Sequence, residues 1–161
     1  MQFHLIRNKL ATAVASFEVV FDENAQRYGL RTGNYCLRLD FVELEECLAD
    51  RDLRGALDVY SGCLLPEASG DWVEGERTRL ENALVLSSIG VLHEMLDLGK
   101  NVECLELAKR LEAITMIHDE ISKIVVRAAS AQGSAYASEE TSRIAQRYVE
   151  LVGFIPKFLQ N

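Results

Sequence analysis

The 161-residue sequence lacks the features that define several large classes of protein. It has no apolar run approaching the ~18 residues that cross a bilayer, so we expect no membrane partner. Met1 is not followed by the basic and apolar segments of a signal peptide. These absences predict a cytoplasmic protein.

The sequence motifs of common enzymes are also absent: there is no GxSxG, no glycine-rich phosphate loop and no HExxH. Adjacent acids such as Glu45 and Glu46 point about 100° apart on a helix, so they do not converge on one substrate atom. The histidines (His4, His93 and His118) have no partner at metal-ligand spacing. We therefore expect no catalytic residues, no metal site and no cofactor.

The four cysteines are scattered and form no CxxC pair. They are Cys36, Cys47, Cys63 and Cys104. Because cytosolic thiols stay reduced, we expect structural thiols rather than disulfides.

Charge is distributed unevenly along this acidic chain, whose net charge is −8. Residues 1–40 hold five basic and four acidic residues, for a charge of +1, and the first seventeen residues contain no acid. Residues 41–161 hold twelve basic and twenty-one acidic residues, for a charge of −9. An acidic body repels nucleic acid, so any contact with DNA must come from the N-terminal segment.

The N-terminal segment changes its periodicity within a few residues. Leu5, Leu10 and Val14 have near-helical spacing, which predicts a short basic amphipathic helix. Alternating apolar and polar residues then predict three short antiparallel strands with two turns, at about residues 17–22, 27–31 and 35–40. Because so small a β ribbon is not stable alone, it must pack on another element.

Helical periodicity returns from Phe41 onward. It predicts a long helix from Asp71 to Gly99 and later helices that start at Asn101, Thr115 and Ser138. Trp72, the one tryptophan, is expected to anchor the core, with a peptide-binding platform as the alternative. We predict a mainly α fold of tetratricopeptide-like helical hairpins (41–161) behind a partial winged helix with its β ribbon (1–40).

A basic helix followed directly by a ribbon is typical of the back half of a winged helix-turn-helix domain. In that arrangement the helix enters the major groove and the ribbon, or wing, reaches the DNA backbone. The candidate DNA-binding residues are therefore Arg7, Asn8 and Lys9 on the helix and Arg27 and Arg31 on the wing. The alternative is that these are ordinary solvated side chains beside a stabilising ribbon.

Three stretches of the sequence resemble bacterial transcriptional activators of the antibiotic-regulatory type, in which a winged helix precedes a helical activator domain. The first, "RYGLRTGNYCLRLDFVELEECL", resembles the junction between those two domains. The second, "ALDVYSGCLLPEASGDWVEGERTRLENAL", is similar to the family's Ala-Leu, Tyr-x-Gly, Leu-Pro and Trp-Val-x-x-x-Arg-x-x-Leu. Its matching residues are Ala56, Leu57, Tyr60, Gly62, Leu65, Pro66, Trp72, Val73, Arg77 and Leu80. The third, "RYVELVGFIP", resembles the family's closing segment through Tyr148, Gly153 and Pro156.

The resemblance implies a non-catalytic bacterial transcriptional regulator, or part of one. Its helical domain would serve protein–protein interaction or self-association, signal input or contact with the transcription machinery. Members of the family carry further strands and helices before the recognition helix, so we expect DNA binding only in a longer chain. Three accounts of the sequence stay open: a piece of a longer protein, a start codon assigned too late, or a regulator that lost its DNA-reading half. The alternative is a stand-alone tetratricopeptide-like adaptor that binds a partner peptide or protein.

Overall fold

The computed structural model describes residues 18–22, 27–31, 39–60, 62 and 64–160. The chain divides into two compact units, residues 1–39 and residues 40–161.

In the first unit, strands β1 (Glu18–Asp22) and β2 (Arg27–Arg31) pair antiparallel, with Val20 opposite Gly29. The predicted basic helix and residues 35–38 of the predicted third strand lie outside the described residues. Asp40, expected at the end of that strand, already begins a helix. The complete ribbon and its identity as a wing therefore stay predictions.

The second unit consists of helices joined by short connections and one longer loop, residues 60–70. The helices are α1 (Asp40–Ala49), α2 (Leu53–Val59), α3 (Asp71–Asp97), α4 (Asn101–Ile114), α5 (Asp119–Ser130) and α6 (Ser134–Val152), followed by a 3₁₀ turn at Lys157–Leu159. The prediction of a mainly α chain is confirmed. No helix in these described ranges combines the length and apolar character needed to cross a bilayer.

Two predicted helix starts are wrong, and local backbone chemistry explains both. Thr115 ends α4 instead of starting α5, because its backbone is extended and its hydroxyl donates to the Leu111 carbonyl at 2.8 Å. The next helix begins only at Asp119. Helix α6 begins at Ser134 rather than Ser138, because Gly133, with φ at 131° in a conformation that favours glycine, lies directly before it as its N-cap.

The core lies where successive helices pack, α3 against α4, α4 against α5 and α5 against α6. Its fully buried members include Leu84, Leu92, Leu111, Ile121, Ile124 and Ile144. Ala56 of α2 and Ala108 of α4 are completely buried. Small buried side chains allow neighbouring helix backbones to approach closely.

Trp72 is not a core anchor, so that prediction is wrong. Its side chain lies in the first turn of α3 and is 64% exposed, whereas its neighbour Val73 is buried. Successive residues on a helix point about 100° apart, so only one of the two can face the core. Val73 occupies the inward position.

A buried ion network joins α4 to α6. The side chains of Glu112 and Glu140 are each 5% exposed. Arg143 bridges them, with Nη2 2.6 Å from Glu112 Oε2 and Nε 2.8 Å from Glu140 Oε2. Burial alone would raise the pKa of Glu140, but hydrogen bonds from Lys109 and Arg143 hold this pKa below its ordinary 4.5. Glu140 is therefore ionised at neutral pH and ties the two helices together.

Candidate binding pocket

A cavity of about 830 Å³ opens among the start of α1, the end of α2, the 60–70 loop, helix α3 and the end of α4. Much of its wall is apolar, formed by residues such as Phe41, Val59, Leu65, Leu80, Ile114 and Met116. Ligand pockets in proteins typically span about 300–1,000 Å³ and are mostly apolar. Its size and lining therefore fit a small organic molecule.

One arginine of α3 holds the loop that forms a wall of this pocket. Arg77 Nε donates to the Leu64 carbonyl at 2.8 Å, and Nη2 donates to the carbonyls of Leu65 and Ala68, the latter at 3.0 Å. Its Nη1 donates to the Glu74 carboxylate one turn earlier in α3. The planar guanidinium can satisfy several acceptors at fixed angles, which a lysine ammonium does not match. Arg77 thus fixes the loop against the helix.

Leu65 adopts a left-handed backbone conformation, with φ at 47°, and its side chain faces solvent beside the pocket. This conformation costs a residue with a Cβ about 1–2 kcal/mol. The hydrogen bond from Arg77 to the Leu65 carbonyl helps to hold it. Backbone strain that the surrounding structure maintains is frequent at ligand-binding sites.

The charges lining the pocket are unbalanced. Arg77 is the only cation among the described lining residues, and four of its five N–H donors are occupied by the loop carbonyls and Glu74. The acids Asp40 and Glu81 also line the pocket, and within the described part of the chain neither forms an ion pair. Glu81 is half-buried on α3. As far as the described residues show, the pocket therefore presents an apolar wall with two acids and one arginine that is bonded to the loop.

The residues predicted to contact DNA lie away from this pocket in sequence, in the N-terminal unit. Arg7, Asn8 and Lys9 are outside the described residues. Arg27 and Arg31 occupy the two ends of β2, where the strand register places them opposite Asp22 and Glu18. Each predicted wing arginine thus has an acidic register partner, and their role in DNA binding stays a prediction.

The cysteines and histidines of the described residues contribute to packing and pairing. Cys47 and Cys104 are free thiols, while Cys36 and Cys63 lie outside the described residues. Burial raises the pKa of Cys104 to about 11. His93 Nε2 lies 3.2 Å from a Glu120 carboxylate oxygen. Among the residues that the structure describes, no group of three or more His, Cys, Asp or Glu side chains could hold a metal ion.

Comparison with known families gives the class of protein: the chain is a bacterial regulator of the transcriptional-activator type. The model of the bacterial transcriptional activator domain matches residues 43–148, well over half of the chain. The chain belongs to this family, which confirms the resemblance stated from its sequence motifs. A comparison with curated proteins gives no significant match.

The family match runs from α1 into α6 and contains Arg77 and most of the pocket lining. Sequence reasoning identified the Leu-Pro and Trp-Val-x-x-x-Arg segments as family motifs but did not predict a pocket beside them. No local pattern signals the pocket, because the carbonyls that Arg77 contacts lie nine to thirteen residues earlier, in a loop whose path the spacing does not specify.

Proposed function

We propose that the chain acts in the cytoplasm as a non-catalytic transcriptional regulator whose helical unit mediates protein–protein interaction or self-association. The observation that carries this proposal is the family match across residues 43–148. The pairing of α3 with α4 and of α5 with α6 supports a tetratricopeptide-like arrangement, because such helical hairpins offer extended surfaces for partner proteins.

DNA recognition, in this proposal, belongs to the N-terminal unit as part of a longer winged helix. Its support is the antiparallel pair β1–β2, placed just before the helical unit in the chain, and the basic residues on either side of it. Residues 40–161 hold twelve basic and twenty-two acidic residues, a net charge of −10. So acidic a unit repels a DNA backbone, which leaves DNA contacts to the N-terminal unit.

The first test asks whether the protein regulates transcription. Transcripts are compared between a strain with the gene deleted and the same strain complemented with the wild-type gene. We expect a limited set of transcripts to change on deletion and to return on complementation. Unchanged transcript levels, together with recovery of a stoichiometric protein partner, would contradict the regulator hypothesis and support the stand-alone adaptor.

The second test asks where DNA binds, by fluorescence anisotropy of a labelled duplex at about 50 mM salt. We expect no binding by the 161-residue chain, and salt-sensitive binding once the in-frame codons upstream of Met1 are included. In that longer chain, Arg27→Ala with Arg31→Ala should weaken binding. The matched control, Arg54→Ala with Arg110→Ala on the helical unit, should leave it unchanged. Equal effects of the two pairs would contradict a wing at β2.

A further inference from the structure

We propose that the pocket beside Arg77 binds a small organic cation: a molecule with an apolar body and a single ammonium or guanidinium group. The apolar body would pack against the wall formed by Phe41, Leu80 and Ile114, and the cationic group would pair with Glu81. The proposal stands on the pocket's geometry and charge and goes beyond the regulatory role proposed above.

The apolar requirement follows from the composition of the wall. Phe41, Val59, Leu80 and Ile114 come from four different helices, so their side chains converge on one space instead of lying along one surface. Met116, just beyond α4, is 77% exposed at the same site. A flexible thioether can adapt to the shape of an apolar ligand, and covering it would remove apolar area from water.

The requirement for positive charge follows from the acids in the lining. Glu81 is half-buried, lines the pocket and has no cationic partner in the described part of the chain. Arg77, its neighbour one turn earlier in α3, directs four of its five N–H donors to the loop carbonyls and Glu74. An anionic ligand would meet Asp40 and Glu81, and the one cation among the described lining residues is already bonded to the loop, so the pocket selects against an anion. A cationic ligand supplies the missing partner.

The size of the cavity favours a small molecule over a protein segment. A volume of about 830 Å³ holds a drug-sized ligand, with room for little else. The loop wall is also held in place by Arg77 before any ligand arrives, which lowers the entropic cost of binding. A helix of a partner protein would need a longer groove and a larger contact area than one such cavity provides.

The test uses three eight-carbon probes that share an apolar body and differ in charge: n-octylammonium, n-octanol and n-octanoate. Each is titrated into the full ¹⁵N-labelled chain at pH 7, and amide shifts are followed by NMR. We expect n-octylammonium to bind with a dissociation constant below about 1 mM and to shift amides around the pocket. n-Octanoate should bind at least about tenfold more weakly.

Two variants separate the charge contribution from the apolar contribution. Glu81→Gln should weaken the binding of n-octylammonium about fivefold and leave the binding of n-octanol unchanged. Ala113→Phe, which fills the pocket from an exposed position on α4, should weaken the binding of all three probes. The matched control is Glu139→Gln, which removes the same charge from an exposed site outside the pocket and should change no affinity.

Three results would overturn the proposal: equal binding of n-octylammonium and n-octanoate, absence of n-octylammonium binding up to about 10 mM, or shifts confined to residues away from the pocket. A fourth arm uses the peptide acetyl-Leu-Leu-Lys-Leu-Leu-amide. If it bound the pocket more than about tenfold tighter than n-octylammonium, the occupant would be a protein segment, and the small-molecule assignment would be wrong. These measurements need no transcription, so failure of the regulatory role would leave their outcome unaffected.

Discussion

Replacing Arg77 by methionine should destabilise the helical unit by releasing the 60–70 loop from α3. Methionine keeps much of the side chain's length and apolar stem but removes every donor. The guanidinium makes hydrogen bonds to three backbone carbonyls and to Glu74, and the Arg77 side chain is only 15% exposed. The loop carbonyls would lose these partners, and Leu65 would lose a bond that holds its left-handed backbone.

The expected loss follows from the number of bonds and their exposure. Hydrogen bonds to a charged group contribute about 1.5–3 kcal/mol each, but carbonyls near the surface regain water when their donor is removed. We therefore expect about 2–4 kcal/mol in the free energy of unfolding, less than the sum of three full bonds. For a protein of this size, that corresponds to a fall in melting temperature of about 4–16 °C.

The measurement is urea unfolding followed by circular dichroism, with the slope m compared as well as the midpoint. Arg77→Lys should give an intermediate loss, because one ammonium reaches fewer of the fixed carbonyls. Arg79→Met is the matched control: this arginine on the same helix is 49% exposed and pairs with Glu45 and Glu76. Exposed ion pairs contribute about 0.2–1 kcal/mol. A loss for Arg77→Met no larger than for Arg79→Met would refute this account of the loop.

Two further predictions concern the buried ion network and the exposed tryptophan. Glu140→Gln should lower the free energy of unfolding by on the order of 2 kcal/mol at pH 7. This is less than the ~3–5 kcal/mol lost when a fully buried ion pair is broken, because Lys109 and Arg143 stay more than a third exposed. Since the folded-state pKa of Glu140 lies below 4.5, its contribution is present above that pH and is lost as pH falls through the folded pKa. Urea unfolding at several pH values should therefore show the wild-type advantage shrinking below about pH 4.5, and a constant advantage down to acid pH would contradict the assignment. Trp72→Ser should change the free energy of unfolding by less than about 1 kcal/mol in the same assay, against the ~3–5 kcal/mol of a buried tryptophan; a loss in that larger range would contradict its exposure.

Local sequence patterns determined much of the helical unit. The spacing of apolar residues predicted the long helix α3, which the structure places at Asp71–Asp97. This prediction depends on which face of a helix is apolar, and that information lies within a few turns of sequence. Helix starts were less predictable. At Thr115 the hydroxyl bonds back to α4, a choice that propensity alone does not settle.

The pocket beside Arg77 and its charges could be seen only in the tertiary structure. Arg77 finds its carbonyl partners nine to thirteen residues earlier, through a loop whose path no local pattern specifies. Glu112 pairs with Arg143, which is thirty-one residues later in the sequence. Glu81 can bind a ligand only because four helices form a cavity beside it. Sequence determined the amphipathic faces of this protein, because hydrophobic periodicity is local. The packing of distant segments determined its pocket and its buried charges, because burial of a polar group depends on everything that surrounds it.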